Sequence, residues 1–259
     1  MPDINEALCE QRIRNHLPDP LQAIDIFVFD TIDSTNNYAK KLILDGAAGF
    51  TAVLAEHQSA GRGRRGRSFF SPANTGLYLS LILPPHLCQI EEIQRITMMS
   101  AVAVRRAIAA LTDSTPSIKW VNDIFINDKK VCGILAEAVS TGNTVNGVVV
   151  GIGINCSTQD FPEELNQIAG SLDQTDISRN LLTAQIISNI ATLTNHLHDP
   201  AILADYRLHS YTLGKTVSFR RNGADITAIA CGINDCGNLI VKEPDGTETT
   251  LFWGEAVIL

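Results

Sequence analysis

Four arginines fall within the six positions that follow Gly61, in the run Gly61-Arg62-Gly63-Arg64-Arg65-Gly66-Arg67. Guanidinium charges this close repel one another unless an anion sits among them. The three glycines free the backbone to fold tightly and to aim its N–H groups at such an anion, as nests do. A phosphate-bearing ligand satisfies both features. A solvated basic loop and a nucleic-acid patch compete, but the net charge of −8 argues against a broad nucleic-acid surface. Gly61, Gly63 and Gly66 also match the Gly-x-Gly-x-x-Gly spacing of dinucleotide sites. That fingerprint must open a helix. Here Ser68-Phe69-Phe70-Ser71-Pro72-Ala73-Asn74 follows, and its proline and turn residues forbid one, so no Rossmann site is expected.

Three further segments place polar groups where apolar strands end. Lys119-Trp120-Val121-Asn122-Asp123 clusters a lysine, an amide and a carboxylate, and gains specificity from Lys130 and Gly133-Ile134-Leu135-Ala136-Glu137 just downstream. Gly151-Ile152-Gly153-Ile154-Asn155 ends an apolar strand on one amide. Ser34-Thr35-Asn36 puts two hydroxyls and an amide at a helix start, where Ser34 is also expected to cap.

The elements that must hold these groups follow from periodicity. Residues 3–17 read as a short amphipathic helix ended by Pro18 and Pro20, and residues 24–29 as a strand. A helix from Ser34 to about Leu44 stops at Gly46; strands are expected over 50–55 and 77–83, and the longest helix over 91–111. Short strands follow over 118–120, 124–126, 131–139 and 145–154, with hairpin chemistry at Asn127-Asp128-Lys129 and Thr141-Gly142-Asn143. Ser178 opens a helical stretch that breaks near Pro200 and ends near His209. After Leu213 strands shorten and turns crowd, as at Asn222-Gly223, Cys236-Gly237 and Asp245-Gly246. The fold class is therefore α+β: a mixed, largely antiparallel sheet flanked by helices over 1–212, and a small SH3-like β-barrel over 213–259.

Composition bounds the rest. With 45 % hydrophobic and 19 % charged residues among 259, the chain is globular, without an apolar run long enough to span a membrane. Met1 to Glu10 carries Asp3, Glu6 and Glu10 and no export signal. None of the six cysteines forms a Cys-x-x-Cys pair, so buried free thiols in a reducing compartment, the cytoplasm, are expected. Cys231 and Cys236 lack zinc-site partners, and His196 and His198 lie in a context that reads as helix, so no protein metal site is expected.

In this order, the four segments resemble the biotin–protein ligase family, from about Asp30 through Asn155 and more weakly into the C-terminal unit. The glycine–arginine loop preceded by Ala55-Glu56-His57-Gln58-Ser59-Ala60 is its most specific part. Val121 stands where the family commonly has proline, which should loosen that turn, and Phe69 where tryptophan is frequent, which thins any stacking on adenine.

The resemblance implies a class II synthetase-like core that activates biotin with ATP to biotinyl-5'-AMP, releases pyrophosphate, and passes biotin to a lysine of a biotin carboxyl carrier protein. It assigns biotin to Ser34, Thr35, Asn36, Gln58, Gly61, Arg62, Gly63, Arg64, Lys130 and Gly133, with Ile134 along the valeryl slot. It assigns ATP and the adenylate to Arg62, Arg64, Arg67, Phe69, Lys119, Asn122, Asp123 and Asn155, and the chemistry to Lys130, Arg64 and Lys119. Mg²⁺ would arrive on the ATP phosphates. Lys129 reads as an exposed hairpin lysine with no such part. A lipoate– or octanoate–protein ligase shares the broad fold but gives no reason for Gln58 and the arginine-dense loop. A biotin-sensing nucleotide-binding regulator is a third reading. Some family members carry an N-terminal helix-turn-helix; only about 23 residues precede Ile24, so no DNA binding is expected. A homodimer paired through a sheet edge is compatible with the pattern.

Overall fold

The computed structural model describes residues 6–84, 92–142, 144–172, 177–252 and 256–259. Asp3 through Asn5 of the expected first helix, Cys88, Glu91 and Asn143 lie outside them.

A seven-stranded sheet organises the molecule. Its strands are β1 (Asp25–Ile32), β2 (Thr51–Gln58), β3 (Gly76–Leu83), β4 (Ser117–Lys119), β5 (Asp123–Ile126), β6 (Lys129–Thr141) and β7 (Thr144–Asn155), in the spatial order β1-β2-β3-β7-β6-β5-β4. Only β1 and β2 run parallel; their crossover is α2 (Thr35–Leu44). The other neighbours are antiparallel, so the expected mixed, mostly antiparallel sheet is what forms.

The central strands are mostly apolar because both faces are covered. On β2, Ala52 and Leu54 join the main core while Val53 turns to the opposite side; on β3, Leu79, Leu81 and Leu83 oppose Ile82 in the same way. One face packs on α3 (Ile93–Leu111), whose Ile96, Met99, Val102 and Ala103 are buried, and on α4 (Arg179–Thr194). The other face carries α2 through Ala39 and Ile43.

Element ends differ from the sequence reading in instructive ways. The first helix, α1, spans only Glu10–His16. Cys9 and Leu8 before it are extended because their N–H groups are taken by Asn180 Oδ1 and Glu56 Oε1. Ser34 occupies the N-cap of α2 but makes no side-chain cap bond. Ser178, by contrast, caps α4 through Leu181 N at 3.3 Å. His196 and His198 lie in the turn between α4 and α5 (Pro200–Leu208), not in a helix. Two hairpin turns form as expected: Asn127 and Asp128 have φ of 49° and 62°, and Asn222 and Gly223 have 52° and 84°. Of the described cysteines, Cys132 and Cys156 are buried, the latter thiol pushed up to about 12 by burial, but Cys231 and Cys236 are exposed.

Beyond α5, five antiparallel strands make a second sheet: β8 (Thr216–Arg221), β9 (Ala224–Ile233), β10 (Leu239–Lys242), β11 (Glu248–Leu251) and β12 (Val257–Ile258), in the order β11-β10-β9-β8-β12. Val217, Phe219, Ile233, Leu239 and Val241 belong to the same continuous apolar cluster as the main core.

Candidate functional site

A cleft of about 390 Å³ crosses the main sheet from the end of β2 to β4. Strand order sets out its lining as a sequence of chemistries. At one end lie Ser34, Thr35 and Asn36 from the start of α2 and Gln58 from the end of β2. The floor is Leu135 with the bare backbone of Gly133 on β6 and of Gly151 and Gly153 on β7, and the Phe69 ring lies against Gly133 and Gly153. At the other end lie Lys130, Asp123, Phe125 and Lys119. Arg62, Gly63, Arg64, Arg67 and Phe69 border it from the glycine–arginine loop.

The neutral polar end is rigidly built. Gln58 Oε1 accepts from Thr35 N at 2.9 Å and lies 3.1 Å from Thr35 Oγ1, while Gln58 Nε2 donates to Ser71 Oγ at 3.0 Å. Ser34, Thr35 and Asn36 are all buried, and Ser34 Oγ has no hydrogen-bond partner. This hydroxyl neither caps its helix nor meets another described group, so its hydrogen-bonding capacity is unused within the protein.

The cationic end is also positioned. Lys130 Nζ pairs with Asp123 Oδ1 at 2.8 Å, so a carboxylate on β5 fixes the ammonium of β6. Asn122 Nδ2 donates to Ile134 O at 2.8 Å, which turns Asn122 Oδ1 toward Arg64 Nη1 at 3.0 Å. Lys119 Nζ stands 5.4 Å over the Phe125 ring. The Trp120–Val121 peptide is cis. Val121 is buried and its carbonyl accepts from Tyr206 Oη at 3.0 Å, a contact that ties this turn to α5.

The loop itself is a tight hairpin, not an open nest. Gly63 N donates to Arg67 O at 2.7 Å and Phe69 N to Gly61 O at 2.9 Å, around a 3₁₀ turn at Arg64–Gly66. Arg65, at φ 58°, and Gly66, at φ 74°, take the left-handed conformations that turn it. Arginine repulsion is relieved partly by the protein: Arg62 Nη2 is 3.6 Å from Glu137 Oε1, and Arg62 Nη1 donates to Asn37 Oδ1 at 3.3 Å.

All the expected site residues line this cleft except two. Gly61 lies behind the wall, where a Cβ would come within 2.5 Å of Phe69 O and 2.6 Å of Ser71 Oγ. Asn155 is buried with its Nδ2 donating to Gly170 O at 2.9 Å, so it braces the segment that follows β7 instead of facing the cleft. Lys129 is not idle either: its Nζ donates to Asn166 O at 3.0 Å and Gln167 O at 2.8 Å. Lys40, Ser80 and Glu137 beside the neutral end drew no assignment from the sequence. Lys40 was discoverable, since it follows Asn36 by one helical turn and so shares its face.

Residues 28–155 match the biotin/lipoate A/B protein ligase family, and residues 212–252 match the biotin protein ligase C-terminal domain. The bifunctional ligase/repressor BirA of Bacillus subtilis is 32 % identical over 253 residues, covering 92 % of this chain and 76 % of that protein. The biotin–[acetyl-CoA-carboxylase] ligase of Paracoccus denitrificans is 31 % identical over 228 residues, covering 83 % and 93 %. Among solved structures, the biotin protein ligase of Aquifex aeolicus in complex with biotin and ATP superposes with a TM-score of 0.78 at 26 % identity, over 91 % of this chain and 98 % of that one. The chain is therefore a member of the biotin/lipoate A/B protein ligase family, and it carries the C-terminal domain of the biotin protein ligases.

Proposed function

We propose that this chain activates biotin with ATP as biotinyl-5'-AMP and transfers the biotinyl group to a lysine of a biotin carboxyl carrier protein. The observation that carries the reading is the order of chemistries along the cleft: neutral hydrogen-bonding groups, an apolar floor, then fixed cations. Biotin has the same order, with a ureido ring, an aliphatic chain and a carboxylate.

In the first step a carboxylate oxygen of biotin attacks the α-phosphorus of ATP and pyrophosphate leaves. Two anions must meet, and Lys130 and Arg64 supply the opposing charge from fixed positions. Mg²⁺ carried on the phosphates would add to it. In the second step the acceptor lysine amine attacks the acyl carbon and AMP leaves. Water would destroy the mixed anhydride, and the loop over residues 61–67 is placed to exclude it. The setting is the cytoplasm, where carrier and ATP meet; no described helix is long and apolar enough to cross a membrane.

An ATP–pyrophosphate exchange assay tests the reading. Exchange should appear with biotin and not with lipoate or octanoate. Exchange driven by lipoate and indifferent to biotin would replace this assignment with the other acyl class.

A further inference from the structure

One carboxylate beside the cleft has no part in the reaction as derived. Glu137 on β6 accepts from Lys40 Nζ at 2.7 Å and from Asn36 Nδ2 at 2.8 Å. Burial opposes its charge, but those two hydrogen bonds and the charges of Lys40 and Arg62 hold the carboxyl below its ordinary range. An ionised carboxylate only accepts. Asn36 must therefore give Glu137 its NH₂ and turn its carbonyl the other way, to Ser80, whose Oγ is 2.5 Å from Asn36 Oδ1 and 2.8 Å from Thr35 Oγ1. Ser80 has a single proton. A carbonyl can only accept, so that proton goes to Asn36. The Thr35 hydroxyl then donates to Gln58 Oε1 or Ser80 Oγ and keeps lone pairs for the cleft. The backbone is shaped for this arrangement: a Cβ at Gly151 would lie 2.2 Å from Asn36 Oδ1.

We propose that Glu137 is a positioning residue that, through Asn36 and Ser80, sets Thr35 as a hydrogen-bond acceptor and so selects a ligand that offers an N–H at this end of the cleft. The inference rests on the biotin reading, in which the ureido ring supplies that N–H. It also explains why the partly buried Glu137 carboxylate is compensated by Lys40 on α2 rather than by the ligand.

Biotin-dependent exchange in the full chain provides the test. Glu137→Gln releases the constraint, because a glutamine amide can meet Asn36 in either orientation. It should raise the biotin KM about tenfold, as expected for one lost charge-assisted hydrogen bond, while the ATP KM stays within about twofold. Gly151→Ala, which displaces the Asn36 amide, should give the same split. Asn36→Asp alone sets two carboxylates together and should bind biotin worst. Asn36→Asp combined with Glu137→Gln restores an acceptor facing Ser80 and should recover much of the lost affinity. An unchanged biotin KM for Glu137→Gln in an otherwise active protein overturns the proposal. So does an equal rise in both KM values with a lowered Tm, which would mark Glu137 as a structural brace. Wild-type protein without biotin-dependent exchange would remove the biotin reading and this inference with it.

Discussion

Lys130 and Lys129 are sequence neighbours on one hairpin, and the structure gives them different work. Lys130 is held by Asp123 at the cationic end of the cleft, whereas Lys129 reaches out to two carbonyls of the segment after β7. The charge of Lys130 matters when carboxylate meets phosphorus, and less when a neutral amine attacks the acyl carbon. Removing one preorganised charge of this kind costs about 3–4 kcal/mol, or 10²–10³ in rate. Lys130→Ala should thus nearly abolish pyrophosphate exchange but keep appreciable transfer from supplied biotinyl-adenylate. Normal exchange by that variant would show that Lys130 does not serve the first step. Lys129→Ala should leave biotin binding alone and loosen residues 166–170, visible as faster amide hydrogen exchange there; unchanged exchange would mean its two hydrogen bonds carry no load. The sequence reading separated these two lysines by family resemblance only. It had no means to see the tether of Lys129, because the partners are backbone carbonyls about 37 positions away.

At the scale of elements, the loop at residues 61–67 depends on close backbone contact. Gly61→Ala would drive a Cβ into Phe69 O and Ser71 Oγ, and the backbone contact cannot yield as a flexible side chain would. The hairpin should open, the biotin KM should rise as Gln58 loses Ser71, and trypsin should cut at the arginines faster than in the wild type. In the wild type, biotin with ATP should slow that cleavage; equal rates would exclude closure on ligand. A second element-level joint is buried. Arg179, first residue of α4 and 1 % exposed, pairs with Glu56 on β2 at 2.5 Å and also donates to Gly76 O at 3.1 Å. Glu56→Ala leaves that guanidinium buried and uncompensated, which costs about 3–5 kcal/mol, and a Tm unchanged by the substitution would contradict this. Periodicity made α2, α3, β3 and β7 legible, because both of their faces or one wide stripe are apolar. It could not show Arg179 as a core residue, since a charged side chain at a helix start reads as solvated. Nor could it show that α1 would be short, since the chain before it is held extended by Glu56 and Asn180, which lie far along the sequence.

At the scale of the whole molecule, the sequence divides the chain near Leu213, but the core does not stop there. Trp120 Nε1 donates to Gly237 O at 2.9 Å, so the turn that carries Asn122 and Asp123 leans on the C-terminal unit, while Trp120 N donates to Thr212 Oγ1 at 2.9 Å just before the boundary. Gln94 Nε2 in the first turn of α3 donates to the same Gly237 carbonyl at 2.7 Å, and Arg207 Nε donates to Ile233 O at 2.8 Å. Ala256 and Val257 line the cleft directly. Removing residues 213–259 would therefore uncover Trp120 and part of the shared apolar cluster, and the indole N–H would exchange its protein acceptor for water. Each buried CH₂ so exposed costs roughly 0.8 kcal/mol. The truncated protein should lose Tm as well as ligation. Its cationic end should suffer first, because the Lys119–Asp123 turn loses its support while Ser34, Thr35 and Gln58 keep theirs within the main sheet. ATP affinity should then fall more than biotin affinity, read by isothermal titration with each ligand on protein that remains folded by circular dichroism. Trp120→Phe in the full chain removes the indole N–H and part of the buried ring and should reproduce the direction of that split at a smaller size. If truncation and Trp120→Phe both leave ATP binding intact, the C-terminal sheet is a passive neighbour of the cleft and not one of its walls.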